Sequence, residues 1–409
     1  MGNANVRAVA ASLVARNQLH GFHTSLAAFP GNRWDRLSKI GPLRDFGRRQ
    51  FDPALAGRTH QSPRRELLRM VANKLGLKSL TAHETGPYSV DGIYRAHDRL
   101  VADRVRRADA SLRAVYAYED GALETFRAAK EKGLTTIYDL PIAYWQTGRR
   151  LMQEEAERRP AWAPTLGGGI KDSREKTDRK VAELELADVV VGPGYFVMDS
   201  LPEWAADKRR IVSPFGSPAT DFTPQTTAPA ADRPLRVLFV GSMGQRKGLG
   251  DLFEAVGQLD PARVELTVLG SPLASMDFYR RAFTGFRYEP TRSHAGVLEL
   301  MRACDVFCLP SIVEGRALVM QEAMSQGLPV IITPNTGGQD LVVEGETGFL
   351  VPVRSPRRIA ESIQWFVDNR EELPRMGAAA AAHAAGYSWR GYGDTVVTEL
   401  ENLLNLQPV

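Results

Sequence analysis

The stretch "SIVEGRALVMQEAMSQGLPVIITPNTGGQD", residues 311–340, decides how the chain folds. Just before it, "VFCLPS" reads as a buried strand. "RALVMQEAMSQG" then carries a helical apolar period that stops at Gly327, "PVIITP" is a second short apolar run, and Gly337-Gly338 follow. Strand, turn, helix and strand in this order form the repeating unit of a parallel α/β sheet. The turn places the start of the helix near Arg316, so the main-chain amides of Gly315, Arg316, Ala317 and Leu318 would face outward and favour an anion. Glu314 falls at the lip of that turn, where a carboxylate can accept hydrogen bonds from hydroxyls. Glu322 lies about six residues into the helix, roughly 9 Å along its axis, and its side chain leans back toward the N-terminus. A phosphate at the helix tip with hydroxyl-rich groups on both sides would meet a carboxylate each way, which is the layout of a sugar, a diphosphate and a ribose. Two unrelated surface glutamates would show the same spacing.

The surrounding sequence repeats the unit. "LRVLFVG", "VELTVLG", "DVFCLPS", "PVIITP" and "GFLVP" are strands separated by amphipathic helices, so the second half is a doubly wound sheet. "LRAVYAYE", "LTTIYDLP" and "ADVVVGP" give the first half the same alternation from about residue 110. Between them, "SPFGSPATDFTPQTTAPAADRP" is rich in Pro, Thr, Ala and Asp with little periodicity and reads as a linker. The organisation expected is a first domain over 1–213, a second over 234–387, and a terminal amphipathic helix and tail over 388–409. Ligands of such folds bind at the C-terminal ends of the strands, in the cleft between the halves. The opening, "GNANVRAVAASLVARNQLH", reads as a glycine-bearing loop feeding a helix with no strand before it. Either the chain lacks the strand with which doubly wound domains open, or its true start lies upstream.

Composition narrows the class. The 409 residues carry 43% hydrophobic and 24% charged side chains, an ordinary globular balance that length divides into two domains. No apolar run is long enough to span a bilayer, and the start lacks a signal peptide's apolar core, so the cytoplasm is expected. Cys304 and Cys308 are too far apart along one strand to bridge, and neither a metal site nor a cofactor is expected. The net charge of +4 is concentrated in the first hundred residues. "NRWDRLSKIGPLRDFGRRQF" and "HQSPRRELLRMVANKLGLK" mix Arg and Lys with Trp34, Phe46 and Phe51. That is either a solvated face or a patch resting on anionic lipid at the inner face of the plasma membrane. No module that reads nucleic acid accompanies the charge.

A second constellation faces the same cleft. "FVGSMGQRKGLGDLFEAV" is a strand ending at Gly241, a loop, and a helix after Gly248. It fits neither the P-loop nor the dinucleotide fingerprint. Arg246 and Lys247 fall at the strand end, where two cations can neutralise a diphosphate without metal, and the sequence has no Asp-x-Asp pair. Gly337 and Gly338 would let main chain approach a ligand.

With "FVGSMGQRKG", the stretch at 311–340 resembles the retaining nucleotide-sugar glycosyltransferases of family 4, closely over the second half and more loosely over the first. The resemblance implies the GT-B architecture: two facing Rossmann-like domains, donor in the second, acceptor mainly at the first, and a C-terminal helix crossing back. It implies that Glu322 binds the ribose, that Glu314 stands beside the donor sugar, and that Lys247 with Arg246 holds the diphosphate. The Gly315–Leu318 amides, Gly241, Ser242, Gly337 and Gly338 would complete the donor site, with Tyr288 near the base. Ser242 stands where the family often has arginine, for which Arg246 is taken to substitute. Gly315-Arg316-Ala317 replaces the usual Gly-Phe-Gly, so Arg316 would narrow the sugar pocket or add charge to it. Asp139 and Tyr144 lie where many members carry a histidine. With Gly2 and Asn3 they are the acceptor-side candidates, while His20 and His23 read as structural. The activity implied is metal-independent hexosyl transfer from a UDP- or GDP-linked sugar to a glycan or lipid-linked acceptor, in surface or exopolysaccharide synthesis. Its alternatives are a catalytically impaired binding protein of the same fold and a nucleotide-sugar epimerase.

Overall fold

In the computed structural model, residues 3–40, 46–47, 49–167, 171–218, 230 and 232–405 are described. Gly2, most of the linker and the last residues of the tail lie outside them. The chain forms two Rossmann-like α/β domains, and the last helix returns to the first.

The first domain contains β1 (Phe22–Thr24), β2 (Thr59–Gln61), β3 (Ala114–Tyr118), β4 (Thr135–Asp139), β5 (Val189–Gly192) and β6 (Arg209–Val212). β3 to β6 pair side by side in chain order as a parallel sheet, while β1 and β2 form a separate parallel pair. The valine-rich strands are covered on both faces, as crossover connections require. Tyr138 and Val190 pack with Phe126 and Leu184 on one side. Ile137, Val189 and Val191 pack on the other with Val9 from helix Ala4–Ala15 and with Tyr392, Val396 and Leu400 from helix Trp389–Leu404. The alternation along each strand therefore sorts side chains between two helical layers.

The second domain contains β7 (Leu235–Val240), β8 (Val264–Leu269), β9 (Phe286–Glu289), β10 (Val306–Leu309), β11 (Val330–Ile332) and β12 (Gly348–Leu350). Its sheet runs in the order β12-β11-β10-β7-β8-β9, and its pairings are parallel. The winding reverses between β7 and β10, so their outgoing loops separate to opposite sides and leave a crevice at the strand ends.

The last helix belongs to the first domain by its contacts. A Cβ on Gly393 would lie 2.4 Å from the Ala8 carbonyl oxygen, so the two helices touch main chain to side. Ser12 Oγ donates to Asp394 at 2.6 Å, Gln18 Nε2 donates to Glu401 at 2.6 Å, and Arg16 pairs with Glu401. The two passages between domains also touch. Ser217 N–H donates to the Tyr387 carbonyl at 3.0 Å, and a Cβ on Gly216 would fall 2.2 Å from the Trp389 nitrogen.

One expectation is corrected here. Trp34, Phe46 and Phe51 are buried, with Trp34 stacked on Phe46 at 5.5 Å between centroids, so these aromatics build small cores and do not face a membrane. Between helices Trp145–Arg158 and Arg174–Leu186, Pro160–Thr165 forms a 3₁₀ turn that sends Trp162 into the second domain's core against Phe253, Phe278 and Tyr279.

The close approach at Gly393 makes a prediction. Gly393→Val should cost about 1–3 kcal/mol through overpacking of the helix pair, measured as a lower urea midpoint at unchanged m-value.

Candidate functional site

The loop after β7 is shaped by positions that have no room for a side chain. At Gly241 (φ +152°) a Cβ would sit 2.6 Å from Lys247 Cδ, so the absence of a side chain there lets the lysine fold back across the strand end. Gln245–Lys247 is a single 3₁₀ turn, and Gly248 leaves it in the left-handed region with φ +73°. The turn is pinned from the other domain. Gln245 N–H donates to Thr165 Oγ1 at 3.0 Å, and Gln245 Nε2 donates to Glu155 at 3.1 Å and to Asp251 at 2.9 Å. Arg158 and Arg159 close the network onto Asp251, and Arg354 reaches Glu154 and Glu155 at 2.9 and 2.8 Å.

The loop after β10 comes to the same point. Lys247 Nζ lies 2.6 Å and Arg246 Nη1 3.0 Å from one oxygen of Glu314. Glu314 is 9% exposed. Burial alone would raise its carboxyl, but Lys247 and then Arg246 outweigh it and hold the group below the usual carboxylate range. Two cations and one anion leave a formal surplus of positive charge at the strand ends. The Glu314 main chain is fixed from both sides, its N–H donating to Asn335 O at 3.1 Å and its carbonyl receiving Ala143 N–H at 3.4 Å. A Cβ on Gly315 would stand 1.8 Å from the Pro141 carbonyl, so the first domain presses directly on this turn.

The remaining donor-side candidates divide. The helix starts at Leu318 with Ala317 as its N-cap, close to Arg316 as expected, but the Ala317 N–H is already donated to Thr336 O at 3.1 Å. Arg316 does not widen the positive field of the pocket: its side chain is wholly buried, bound to Asp340 at 2.6 and 3.0 Å, to Gln321 at 2.8 Å and to the Gly337 carbonyl. Glu322 is partly open at the helix surface and lies 3.2 Å from His294 Nε2, a residue that sequence reasoning missed because it comes from another helix, His294–Arg302. Gly337 takes φ +81° against Gly315, where a Cβ would meet the Gly315 carbonyl at 1.8 Å, and Gly338 lies on Met320. Ser242 stands beside Gly241 in the loop after β7, its carbonyl receiving the Gly244 N–H at 2.8 Å. Tyr288 donates its hydroxyl to the Gly270 carbonyl at 3.3 Å.

On the acceptor side, Asn3 donates to the Tyr118 hydroxyl at 3.0 Å. Asn5, unremarked in the sequence, donates to Asp139 at 2.9 Å inside the domain. Burial pushes the Asp139 carboxyl up to about 7. Tyr144 is not at a surface: its ring is fully buried in the first domain's core and its N–H donates to Ser200 Oγ at 2.7 Å. Among the described residues, His83, Glu84 and Asp172 bring ligand atoms within 4.8 Å of one another, but Lys176 already pairs with Asp172 at 3.0 Å.

Residues 226–383 match the family described as "Glycosyl transferases group 1". A D-inositol 3-phosphate glycosyltransferase of Corynebacterium glutamicum (strain R) is 30% identical over 263 residues, covering 56% of this chain and 63% of that protein. The chain thus spans less than two thirds of that curated relative. Among solved structures, sucrose-phosphate synthase from Thermosynechococcus elongatus aligns with a TM-score of 0.58 at 19% identity, covering 80% of this chain and 82% of that one. Anabaena HepE, solved with UDP, aligns with a TM-score of 0.59 at 14% identity over 98% of each chain. At these identities the structures establish the fold, which is GT-B.

The raised Asp139 gives a pH prediction. Its folded value lies above that of an unfolded aspartate, so the unfolded chain loses this proton first, and the stability contributed by the neutral group declines from about pH 4 to about pH 7. Asp139→Asn keeps a neutral acceptor for Asn5. Urea unfolding at pH 5 and pH 8 should show the variant gaining on the parent as pH rises, with no further gain above that window.

Proposed function

We propose that this chain, whose second domain belongs to the glycosyl transferases group 1 family, transfers a sugar from a nucleoside-diphosphate sugar to a hydroxyl acceptor with retention at the sugar carbon. The observation that supports this most is the meeting of Lys247, Arg246 and Glu314 at the reversal of the second sheet. When a glycosidic bond to a diphosphate breaks, negative charge gathers on the departing phosphate, and fixed cations at that place lower the barrier. Lys247 and Arg246 are held there by Glu314 and by the pinned Gln245 turn, so little reorganisation is needed. Glu322, open on its helix beside His294, is placed to accept hydrogen bonds from a ribose. No step is routed through a metal: the two cations come from the chain itself. The donor is UDP- or GDP-linked, and the acceptor is a glycan or lipid-linked glycan of the kind used in bacterial surface polysaccharide assembly, handled in the cytoplasm.

Nucleoside-diphosphate release from a panel of UDP- and GDP-sugars tests the reading. Lys247→Ala should lower kcat/KM about 100- to 1,000-fold, as loss of one charge-stabilising donor does, in a variant that circular dichroism shows still folded at the assay temperature; its melting temperature should fall, because Glu314 keeps Arg246 alone of the two cations. Failure of UDP and GDP to bind the parent in titration calorimetry overturns the assignment.

The lipid-linked acceptor is brought near by helix Arg64–Lys74. Leu68, Val71 and Leu75 are exposed on it beside the exposed Arg64 and Arg65. Such a face can rest on anionic lipid by combining apolar insertion with charge. None of the described helices is long and apolar enough to cross a membrane. Flotation with phosphatidylglycerol vesicles should recover the parent in the lipid fraction and leave Leu68→Asp/Val71→Asp in solution; a parent that stays wholly soluble refutes the contact.

A further inference from the structure

The acidic turn after β10 has two sides. In front, Glu314 gives its carboxylate to Lys247 and Arg246. Behind, the side chain of Arg316 is wholly buried. Its guanidinium makes four hydrogen bonds: Nε donates to Gln321 Oε1 at 2.8 Å, Nη1 to Gly337 O at 3.1 Å, and Nη1 and Nη2 to the two oxygens of Asp340 at 2.6 and 3.0 Å. A planar fork serves such partners at once in fixed directions, which an ammonium on a flexible stem does not. The fork also lies over the Tyr387 ring, 5.0 Å from its centroid. Burial alone would raise the Asp340 carboxyl, but the hydrogen bond and charge of Arg316 outweigh it and hold the group below the usual carboxylate range.

These partners lead to both chain passages between the domains. Gln321 Nε2 donates to the Phe215 carbonyl at 2.8 Å and to Ser217 Oγ at 2.9 Å, in the passage that leaves the first domain. Tyr387 opens the passage that returns to it. Its hydroxyl donates to the Asp340 carbonyl at 3.3 Å, and its own carbonyl receives Ser217 N–H at 3.0 Å, which makes a seam where the passages meet. Toward the cleft, Gly337 rests on Gly315, and the main chain just before it receives Glu314 N–H at Asn335 O and Ala317 N–H at Thr336 O. One buried side chain is thus shared by the acidic turn and the seam.

We propose that Arg316 is a positioning residue that keeps the acidic turn, and with it Glu314 and the two cations, in register with the seam between the domains. The inference rests on the proposed function, in which those cations meet the departing phosphate. Stability alone does not call for an arginine here, since well-packed apolar side chains often replace a buried ion pair without loss. What the fork adds is direction. An apolar side chain would fill the same space and let the turn slide against Gln321 and Asp340, whereas the fork moves turn and seam as one piece.

Amide exchange read by mass spectrometry tests the positioning without relying on sugar transfer. In Arg316→Lys, the amides of Glu314 and Ala317 should exchange at least about tenfold faster than in the parent, while β7 and β10 keep the parental rate. Gln321→Leu, which removes the link to Phe215 and Ser217, should speed the same two amides. The double variant should be no faster than the faster single one, because both changes break one path. Nucleoside-diphosphate release by Arg316→Lys should fall about 10- to 100-fold, as a misplaced charge cluster requires. Unchanged exchange at Glu314 and Ala317, faster exchange spread equally through β7 and β10, single effects that multiply in the double variant, or full turnover despite faster exchange each overturn the proposal. If the parent binds neither UDP nor GDP, the proposed function falls, and the exchange pattern still decides whether Arg316 holds the turn.

Discussion

A carboxylate buried between two cations organises the second domain's active edge. Removing Glu314 from water costs several kcal/mol, and only close, well-aligned partners offset this. Lys247 and Arg246 provide them from the neighbouring loop, 2.6 and 3.0 Å away. The glycines around the cluster follow from that requirement. Gly241 makes room for the lysine stem, Gly248 turns the loop against the Pro310 carbonyl, and Gly315 lets the acidic turn lie against the first domain. Under the proposed function, an incoming diphosphate would meet cations already in place and would compete with Glu314 for them.

The cluster also depends on the first domain, although its three residues belong to the second. Gln245, the residue before the two cations, is anchored by Thr165 and Glu155 from across the cleft. Trp162 enters the second core only three residues before Thr165, so the segment is held by apolar packing as well as by hydrogen bonds. A change in how the domains meet would therefore move the cations. The two chain passages touch at Gly216 and Trp389.

How much of this was legible in the sequence depended on the range of the interactions. The alternation of apolar runs and amphipathic helices placed β7, β8, β10 and β11 because each run carries its own periodicity. The meeting of Lys247 with Glu314 was readable because both follow strands at the winding reversal, where topology brings loops together. The fate of Arg316 was not readable, since it is set by Asp340, which sits in a loop one strand further on. Tyr144 looked like a loop residue beside a strand end, yet its ring fills the core, and nothing local distinguishes the two. β1 (FHT), β2 (THQ), β6 (RRIV) and β9 (FRYE) carry charged or polar residues where the equally short β10 (VFCL) and β11 (VII) are continuous apolar runs, so their own patterns did not read as buried strands. Asn5 matters only because the helix carrying it lands over β4.

The two rims of the cleft differ in kind, and the difference constrains what fits between them. The second domain presents a net positive cluster whose charge is fixed by the chain. At the strand ends of the first domain, the buried acid is Asp139, and burial lifts its carboxyl to about 7, with one hydrogen bond from a neutral amide. The second rim therefore carries fixed positive charge, whereas the acid of the first is held toward its neutral form. Arg316 sharpens the asymmetry: it lies two residues from Glu314, but Asp340 neutralises it behind the turn. The positive field at the cleft thus stays centred on Lys247 and Arg246.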